Sequence, residues 1–223
     1  MNIHHISPEL LSLSLIDKIV TEDYQINLSE KAKNAIVRCR EYLDQKIGDS
    51  KSPLYGINTG FGYMQNVVIP SDKLTKLQHN LLLSHACGTG ELVPQKIVKL
   101  MLLLKIQSLA YGNSGISLQT VERLIYMYNH NVLPVIYTQG SLGASGDLAP
   151  LAHLALPLIG EGKVWLNNKI IRTAEWYAQT DIKPLQLQTK EGLALINGTQ
   201  FMAAYGVHIL LQSQRLSIWA DII

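Results

Sequence analysis

The sequence predicts a mainly α-helical protein with one short β-hairpin. From the middle of the chain onward, apolar residues recur at the i, i+3, i+4 and i+7 spacing of a helix face. Serine, proline or aspartate stands where most of these runs begin, as helix-capping residues do. A single stretch has the pattern of two short strands joined by a two-residue turn. These three observations place the chain in the mainly α class.

The first three predicted helices follow one another closely. Ser71 is the expected N-cap of the first helix, which Gly88 closes. Pro94 opens the second, because proline is well suited to the start of a helix and poorly suited to its interior. Ser117 is the expected N-cap of the third, whose apolar residues lie on one face.

The second half of the chain continues the helical pattern around the hairpin. Asp147 precedes a helix over residues 148–159 that is apolar nearly all round, so we expect it to be buried. Residues 164–171 form the predicted hairpin, with Asn167 and Asn168 as its two-residue turn.

The last predicted helix begins at Thr199 and reaches residue 223 without a stop signal. We therefore expect the sequence to be the N-terminal part of a longer chain.

Composition limits the classes of protein to which the chain can belong. Of the 223 residues, 47% are hydrophobic and 16% are charged, against about 25% charged in an average soluble domain. This shortage of charge predicts buried subunit contacts. The net charge of +2, without a basic stripe, gives no support for nucleic-acid binding.

Features of location and metal binding are few. Cys39 and Cys87 form neither a disulfide framework nor a metal-ligand pattern, so we expect two reduced thiols and no metal. The N-terminus lacks the basic region of a signal peptide, and no apolar run reads as a membrane span. The prediction is a cytoplasmic protein.

Two glycine-rich stretches carry candidate chemistry. Residues 55–62, YGINTGFG, place Tyr55 in a loop that can bend sharply, although an ordinary surface turn has the same composition. In residues 140–150, GSLGASGDLAP, the nitrogen of Gly146 could reach the carbonyl carbon of Ala144, since residue 146 has no Cβ. Cyclisation there, with loss of water from Ser145, would give an electrophilic ring. A small-residue turn is the alternative.

The 140–150 stretch resembles, almost residue for residue, the prosthetic-group segment of the histidine and phenylalanine ammonia-lyase family. The loop at 55–62 resembles the catalytic-tyrosine loop of that family, and residues 191–200, EGLALINGTQ, resemble its asparagine segment. All three occur in the family's order and approximate spacing. The resemblance implies an ammonia-lyase-like fold, in which a prosthetic-group region is followed by a long central helical bundle. Residues 1–198 would then form the N-terminal domain that carries the tyrosine loop and the Ala-Ser-Gly loop, and residues 199–223 would begin the bundle.

The resemblance also implies roles. The triplet 144–146 would become 4-methylidene-imidazol-5-one autocatalytically, with residue Ser145 converted to 2,3-didehydroalanine and no metal or dissociable cofactor. Tyr55 would remove the β-proton of the substrate. Asn197 would hydrogen-bond the prosthetic group or the amino-acid end of the substrate. Asp147 would assist ring formation and cap the helix that follows it.

Substrate choice rests on Ser84 and His85. In the family a Ser-His pair is typical of histidine enzymes, whereas phenylalanine enzymes carry apolar residues there. The pair implies elimination of ammonia from L-histidine to give urocanate, the first step of histidine degradation. Some tyrosine-acting relatives also carry Ser-His, so tyrosine or phenylalanine ammonia-lyase and aminomutase activities remain open.

Assembly is expected to follow the family as well. Its members are homotetramers, are longer than 223 residues, and carry further active-site residues in their C-terminal part. We therefore expect these residues alone to be inactive. A non-catalytic helical assembly protein is the alternative from another class. Loss of Tyr55, Ser145 or Asn197 would favour it, and all three are present.

Overall fold

The structure is a computed structural model that describes residues 2–49 and 53–223. It is 55% helical, with a few short strands, which confirms the mainly α class. The helices in the described ranges are α1 (Leu13–Thr21), α2 (Glu30–Asp49), α3 (Leu74–His85), α4 (Gln95–Ala110), α5 (Leu118–Asn129), α6 (Leu148–Ala155), α7 (Thr173–Ala178), α8 (Glu191–Ile196) and α9 (Gln200–Ile222). The strands are β1 (Ile3–Ile6), β2 (Gln25–Leu28), β3 (Thr89–Leu92), β4 (Leu133–Pro134), β5 (Tyr137–Gln139), β6 (Lys163–Leu166) and β7 (Lys169–Arg172).

The N-terminal segment forms a small unit that the sequence patterns did not predict. Strands β1 and β2 pair in parallel, and α1 makes the crossover that a parallel pair requires. The Ser12 hydroxyl caps α1 by accepting the Leu15 N–H at 3.3 Å. Ile16 and Ile19 on α1 are buried and fix the helix on the core.

Helix α4 is the centre of the core. It packs against α9, α5 and α2, and most of its residues are buried on every side. Pro94 stands at its N-cap position, as predicted. Two polar side chains of α4 are buried, Lys105 and Gln107. The Gln107 amide donates to the carbonyls of Ser7 and Glu9, and the Lys105 amino group donates to the carbonyl of Asn197.

Two small antiparallel sheets lie around these helices. The predicted hairpin is confirmed as β6 and β7, and Asn167 and Asn168 have φ values of +50° and +60°, as a type I′ turn requires. Strand β3 follows α3 and pairs with β5 through Thr89 and Gln139. This pairing places the end of α3 beside the beginning of the 140–150 loop.

Some predicted helix boundaries are wrong by a few residues. Helix α3 begins after a 3₁₀ turn that starts at Ser71, and it ends three residues before Gly88. The helix after Asp147 is buried as predicted, but its last turn, Leu156–Ile159, is 3₁₀ because Pro157 has no N–H to donate. Ser117 caps α5 as predicted, by accepting a backbone N–H.

Candidate active site

The Ala144-Ser145-Gly146 triplet lies in the loop between β5 and α6. Ala144 and Ser145 are exposed and, with Leu148, line an open pocket of about 190 Å³. Gly146 has a φ of +92°, in the left-handed region, and a Cβ at this position would lie 2.5 Å from the carbonyl oxygen of Gly198. The position therefore requires glycine for both conformation and space.

Asp147 is fully buried and joins this loop to the beginning of α9. Its Oδ1 accepts the Ser141 hydroxyl at 2.7 Å, and its Oδ2 accepts the Met202 N–H at 3.0 Å. Asp147 stands at the N-cap position of α6, as predicted, but its side chain makes no capping hydrogen bond to that helix. With a ψ of 54°, its backbone is not in the extended conformation usual for an N-cap residue, and the carboxylate caps α9 instead.

Asn197 and Gly198 form a turn between α8 and α9. Asn197 is exposed and has extended backbone angles, whereas Gly198 has a φ of +149°. The Gly198 carbonyl accepts the N–H of Asp147 at 2.8 Å, and the Asn197 carbonyl accepts the Lys105 ammonium at 2.9 Å. These two bonds fix the turn between the 140–150 loop and the core helix α4.

Tyr55 lies on a loop packed against α8. Its side chain is 59% exposed, and its ring meets that of Phe61 edge-on, with centroids 6.3 Å apart. Gly56 has a φ of +69°, and a Cβ there would lie 2.7 Å from the Leu193 side chain of α8. The buried Thr59 hydroxyl accepts the Gly56 N–H, so the loop is braced below the tyrosine while the phenol faces outward.

His85 is the last residue of α3 and is half-buried. Its Nδ1 lies 2.9 Å from the carbonyl oxygen of Leu81 and 3.1 Å from the Ser84 hydroxyl. Because a carbonyl oxygen can only accept, the contact with Leu81 assigns the donor role to Nδ1 and leaves Nε2 as the second ring nitrogen, without a partner in these two contacts. The Ser84 hydroxyl donates to the same carbonyl, within its own helix, and is exposed. The structure therefore gives His85 an available acceptor and does not join Ser84 to the glycine-rich loops.

The segment after His85 is held against the 140–150 loop. The Gly88 N–H donates to the His153 Nε2 on α6 at 3.0 Å, and burial lowers the pKa of His153. A Cβ at Gly140 would lie 3.2 Å from the Cα of Gly88. His153 thus links the end of α3 to the helix that follows the triplet.

Helix α8 is the element that the candidate segments share. Its Leu193 contacts the tyrosine loop, and the turn after it contacts Gly146. The buried Gln78 of α3 accepts the Gly192 N–H at 3.0 Å, which attaches the helix carrying His85. The structure therefore brings the three sequence motifs together around one six-residue helix.

Comparison with known proteins agrees with this arrangement. A family profile described as "Aromatic amino acid lyase" matches residues 11–223. The chain belongs to this family. The resemblance found in the sequence is thereby confirmed.

Individual relatives of this aromatic amino acid lyase chain carry related names. A histidine ammonia-lyase of Legionella pneumophila (strain Corby) is 46% identical over 211 residues, which are 95% of this chain and 42% of the relative. The crystal structure of histidine ammonia-lyase from Trypanosoma cruzi has a TM-score of 0.90 at 34% identity, covering 100% of this chain and 43% of that one. Tyrosine aminomutase from Streptomyces globisporus has a TM-score of 0.85 at 33% identity, covering 93% and 38%. The chain spans about two-fifths of the length of the curated relatives it matches.

Sequence reasoning missed three buried polar residues of this lyase-family chain. Gln78, Lys105 and Glu191 all hold α8. The Glu191 carboxylate accepts the Ser117 N–H and the Thr120 hydroxyl of α5. The sequence did carry a signal for Lys105. It is the one charged residue in the largely apolar run 100–110 of α4, and a buried helix face rarely includes a charged residue.

The described residues contain no cluster of side chains suited to a metal ion and one long apolar segment. In residues 2–49 and 53–223, no group of three or more His, Cys, Asp or Glu side chains could hold a metal ion. In the same ranges, one segment, Glu191–Ile222, is long and apolar enough to cross a membrane by length and composition. That segment is interrupted by the Asn197–Gly198 turn, so α8 and α9 are separate helices.

Proposed function

We propose that the whole protein is a histidine ammonia-lyase, which removes ammonia from L-histidine without oxidation and gives urocanate. The observation that carries this proposal is the geometry at Gly146, where the Ala-Ser-Gly loop folds back against the Asn197–Gly198 turn. Relatives named histidine ammonia-lyase that are 46% identical over most of the chain support the same reaction.

The residues present fit a 4-methylidene-imidazol-5-one formed from Ala144, Ser145 and Gly146. A ring through the nitrogen of residue 146 leaves no room for a Cβ, and the Gly198 carbonyl fills that space. Exposure of Ser145 leaves the residue that would supply the methylidene carbon accessible from the pocket. The group would supply an electrophilic carbon, which the standard side chains lack.

The remaining residues would handle the proton and orient the substrate. The phenolate oxygen of Tyr55 would accept the β-proton, and the electrons of that C–H bond would form the α,β double bond. The C–N bond would break with its electrons staying on nitrogen, so that the protonated amino group of the substrate leaves as neutral ammonia. Asn197 is exposed beside the triplet and would hydrogen-bond the amino-acid end of the substrate or the prosthetic group. Asp147 would hold the loop in the shape required for ring closure.

Histidine is the proposed substrate because of the hydrogen bond that His85 makes within its own helix. With its Nδ1–H directed at Leu81, the ring presents Nε2 as an acceptor. The N–H of a substrate imidazole can donate to that nitrogen, whereas the phenyl ring of phenylalanine has no donor. A tyrosine hydroxyl could also donate, and the structural similarity to a tyrosine aminomutase makes that enzyme class the second candidate.

The first experiment is an accurate mass of the peptide that spans residues 140–150, with Ser145→Ala as the matched control. Loss of two water molecules in the wild type, absent from the control, is the expected result. Product analysis on the whole protein then separates the candidates: urocanate for the lyase, a β-amino acid for an aminomutase, and neither for a non-catalytic assembly protein. An unshifted mass in the whole protein would contradict the proposal.

Assembly and location complete the proposal. We expect the whole protein to be a cytoplasmic homotetramer, with residues 1–198 as the domain of the prosthetic group and 199–223 as the start of a helical bundle. The apolar side chains of Ile218, Trp219 and Ile222 on α9 are 60%, 61% and 67% exposed, so this surface is available for packing against the rest of the whole protein or against another subunit. Light scattering on the whole protein would test the tetramer.

A further inference from the structure

Lys105 is a charged side chain placed where charge is costly. It lies in α4 among apolar residues and is fully buried. Burial alone lowers the pKa of Lys105 to about 7. A methionine of similar length would fill the same space without this desolvation cost. Since the fold itself gains little from a cation here, the contact made by its amino group is the feature to explain.

The amino group of Lys105 reaches the end of α8. Its Nζ donates to the carbonyl oxygen of Asn197 at 2.9 Å, across 92 positions of sequence. This carbonyl follows the last turn of α8, where the helix has unpaired acceptors and a donor or cation is favourable. A helix of six residues is not stable by itself in water, so its end depends on such tertiary contacts.

The bonded carbonyl also sets the path of the next residue. The peptide group that accepts from Lys105 is the one that joins Asn197 to Gly198, and the carbonyl of Gly198 accepts the N–H of Asp147. The same Gly198 carbonyl fills the Cβ position of Gly146. Lys105 is therefore connected to the candidate prosthetic-group loop through one peptide group: it binds the Asn197 carbonyl, and the carbonyl of the next residue, Gly198, contacts both Gly146 and Asp147.

We propose that Lys105 is a positioning residue of the active site: it fixes the Asn197–Gly198 turn, and through this turn it orients the Asn197 side chain and supports the triplet 144–146. Among the residues that the structure describes, the Lys105 ammonium is hydrogen-bonded to the Asn197 carbonyl and to no atom of the triplet or of the Tyr55 loop, so it acts through Asn197. The inference rests on the proposed function for its effect on the reaction, but the effect on the turn is independent of it.

The test compares three variants of the whole natural protein. Lys105→Met removes the donor while keeping the volume, and Lys105→Arg keeps a cationic donor at the same position. Lys99→Met is the matched control: it makes the same change six residues earlier on α4, and it removes bonds to Asp23 and Asn131 that lie away from the turn. Each is assayed at a temperature at which thermal unfolding shows that it is fully folded.

Hydrogen exchange gives the readout that does not depend on activity. Lys105→Met is expected to raise the exchange rate of the Asp147 and Met202 amides about tenfold or more, because both are held by the turn and the loop it supports. Lys99→Met should leave both amides at the wild-type rate. Unchanged exchange in Lys105→Met would overturn the proposal.

Kinetics give the second readout, with kcat calculated per subunit whose 140–150 peptide has lost two waters. Lys105→Met is expected to lower kcat by on the order of 10- to 100-fold, because a small displacement of a positioned group has that effect. Lys105→Arg should recover part of the loss. A lower melting temperature with a wild-type kcat would mean a purely structural lysine and overturn the proposal. If the wild type itself releases no ammonia, the proposed function fails, and the exchange rates alone decide the role of Lys105.

Discussion

The carboxylate of Asp147 offers the sharpest test of how the 140–150 loop is held in place. Asp147→Ala removes an acceptor that is fully buried and serves two donors, the Ser141 hydroxyl and the Met202 N–H. Asp147→Asn keeps the shape and can serve both partners, because its oxygen can accept from Met202 while its amide donates to the serine hydroxyl. The pair of variants therefore separates the loss of hydrogen bonds from the loss of charge.

The magnitude follows from these contacts. Loss of the capping bond at the start of α9 costs about 1 kcal/mol. Loss of the hydrogen bond from Ser141 to a charged acceptor costs about 1.5–3 kcal/mol. We therefore expect Asp147→Ala to lower the free energy of unfolding by about 3 kcal/mol, or the melting temperature by about 6–12 °C for a chain of this size. Asp147→Asn loses the favourable charge at the helix N-terminus and should cost about 1 kcal/mol.

Thermal unfolding followed by circular dichroism is the assay, with Asp181→Ala at an exposed position as the control. The control should lie within about 0.5 kcal/mol of the wild type. Equal losses in Asp147→Ala and Asp147→Asn would refute the assignment of the effect to two hydrogen bonds. A loss in Asp147→Ala no larger than that of the control would refute the bracing role of Asp147 altogether.

Three further predictions concern other contacts. His85→Leu should lower kcat/KM for histidine by about 10- to 100-fold relative to phenylalanine, because the acceptor nitrogen is lost; an unchanged ratio in product assays would argue against His85 as the selectivity residue. Burial lowers the pKa of His153, so the unfolded chain takes up a proton on this residue at higher pH than the folded chain does. The stability contributed by neutral His153 is therefore lost as pH falls below about 6.5. The difference in melting temperature between the wild type and His153→Gln should shrink between pH 7 and pH 5, and a constant difference would contradict this. Gly192→Ala should lower the free energy of unfolding by about 1–3 kcal/mol, since its Cβ would lie 2.9 Å from the Gln78 carbonyl oxygen. Gly206→Ala, which has open space around the new Cβ, should raise it by up to about 1 kcal/mol, and urea denaturation measures both. Stabilisation by both variants would show that α8 can move away from α3.

Local signals in the sequence predicted much of the fold because their physics is local. The caps at Ser12 and Ser117 join atoms three residues apart, and the Asn167-Asn168 turn depends on the conformations of two residues. Sequence reasoning used the last two and overlooked the first. The predicted start of α3 at Ser71 was wrong because Ser71 opens a 3₁₀ turn, and a 3₁₀ turn and an α-helix begin with similar residues.

The candidate site divides along the same line. The motifs around Tyr55, Ser145 and Asn197 were recognisable in the sequence because side-chain identity and order suffice to recognise a family. Their convergence on α8, however, depends on contacts between residues far apart in the chain, such as Gln78 with Gly192. Periodicity carries no information about such pairs.

By itself, the sequence determined the helical class, the hairpin, the family resemblance and the residues expected to carry the chemistry. Only the tertiary structure decided that Asp147 caps α9 and not its own helix, that His85 presents Nε2, and that Lys105 holds the Asn197 turn. The reason is that a buried polar group must find a hydrogen-bonding partner wherever the packed chain provides one. Which partner that is depends on which elements are neighbours, and packing alone sets this.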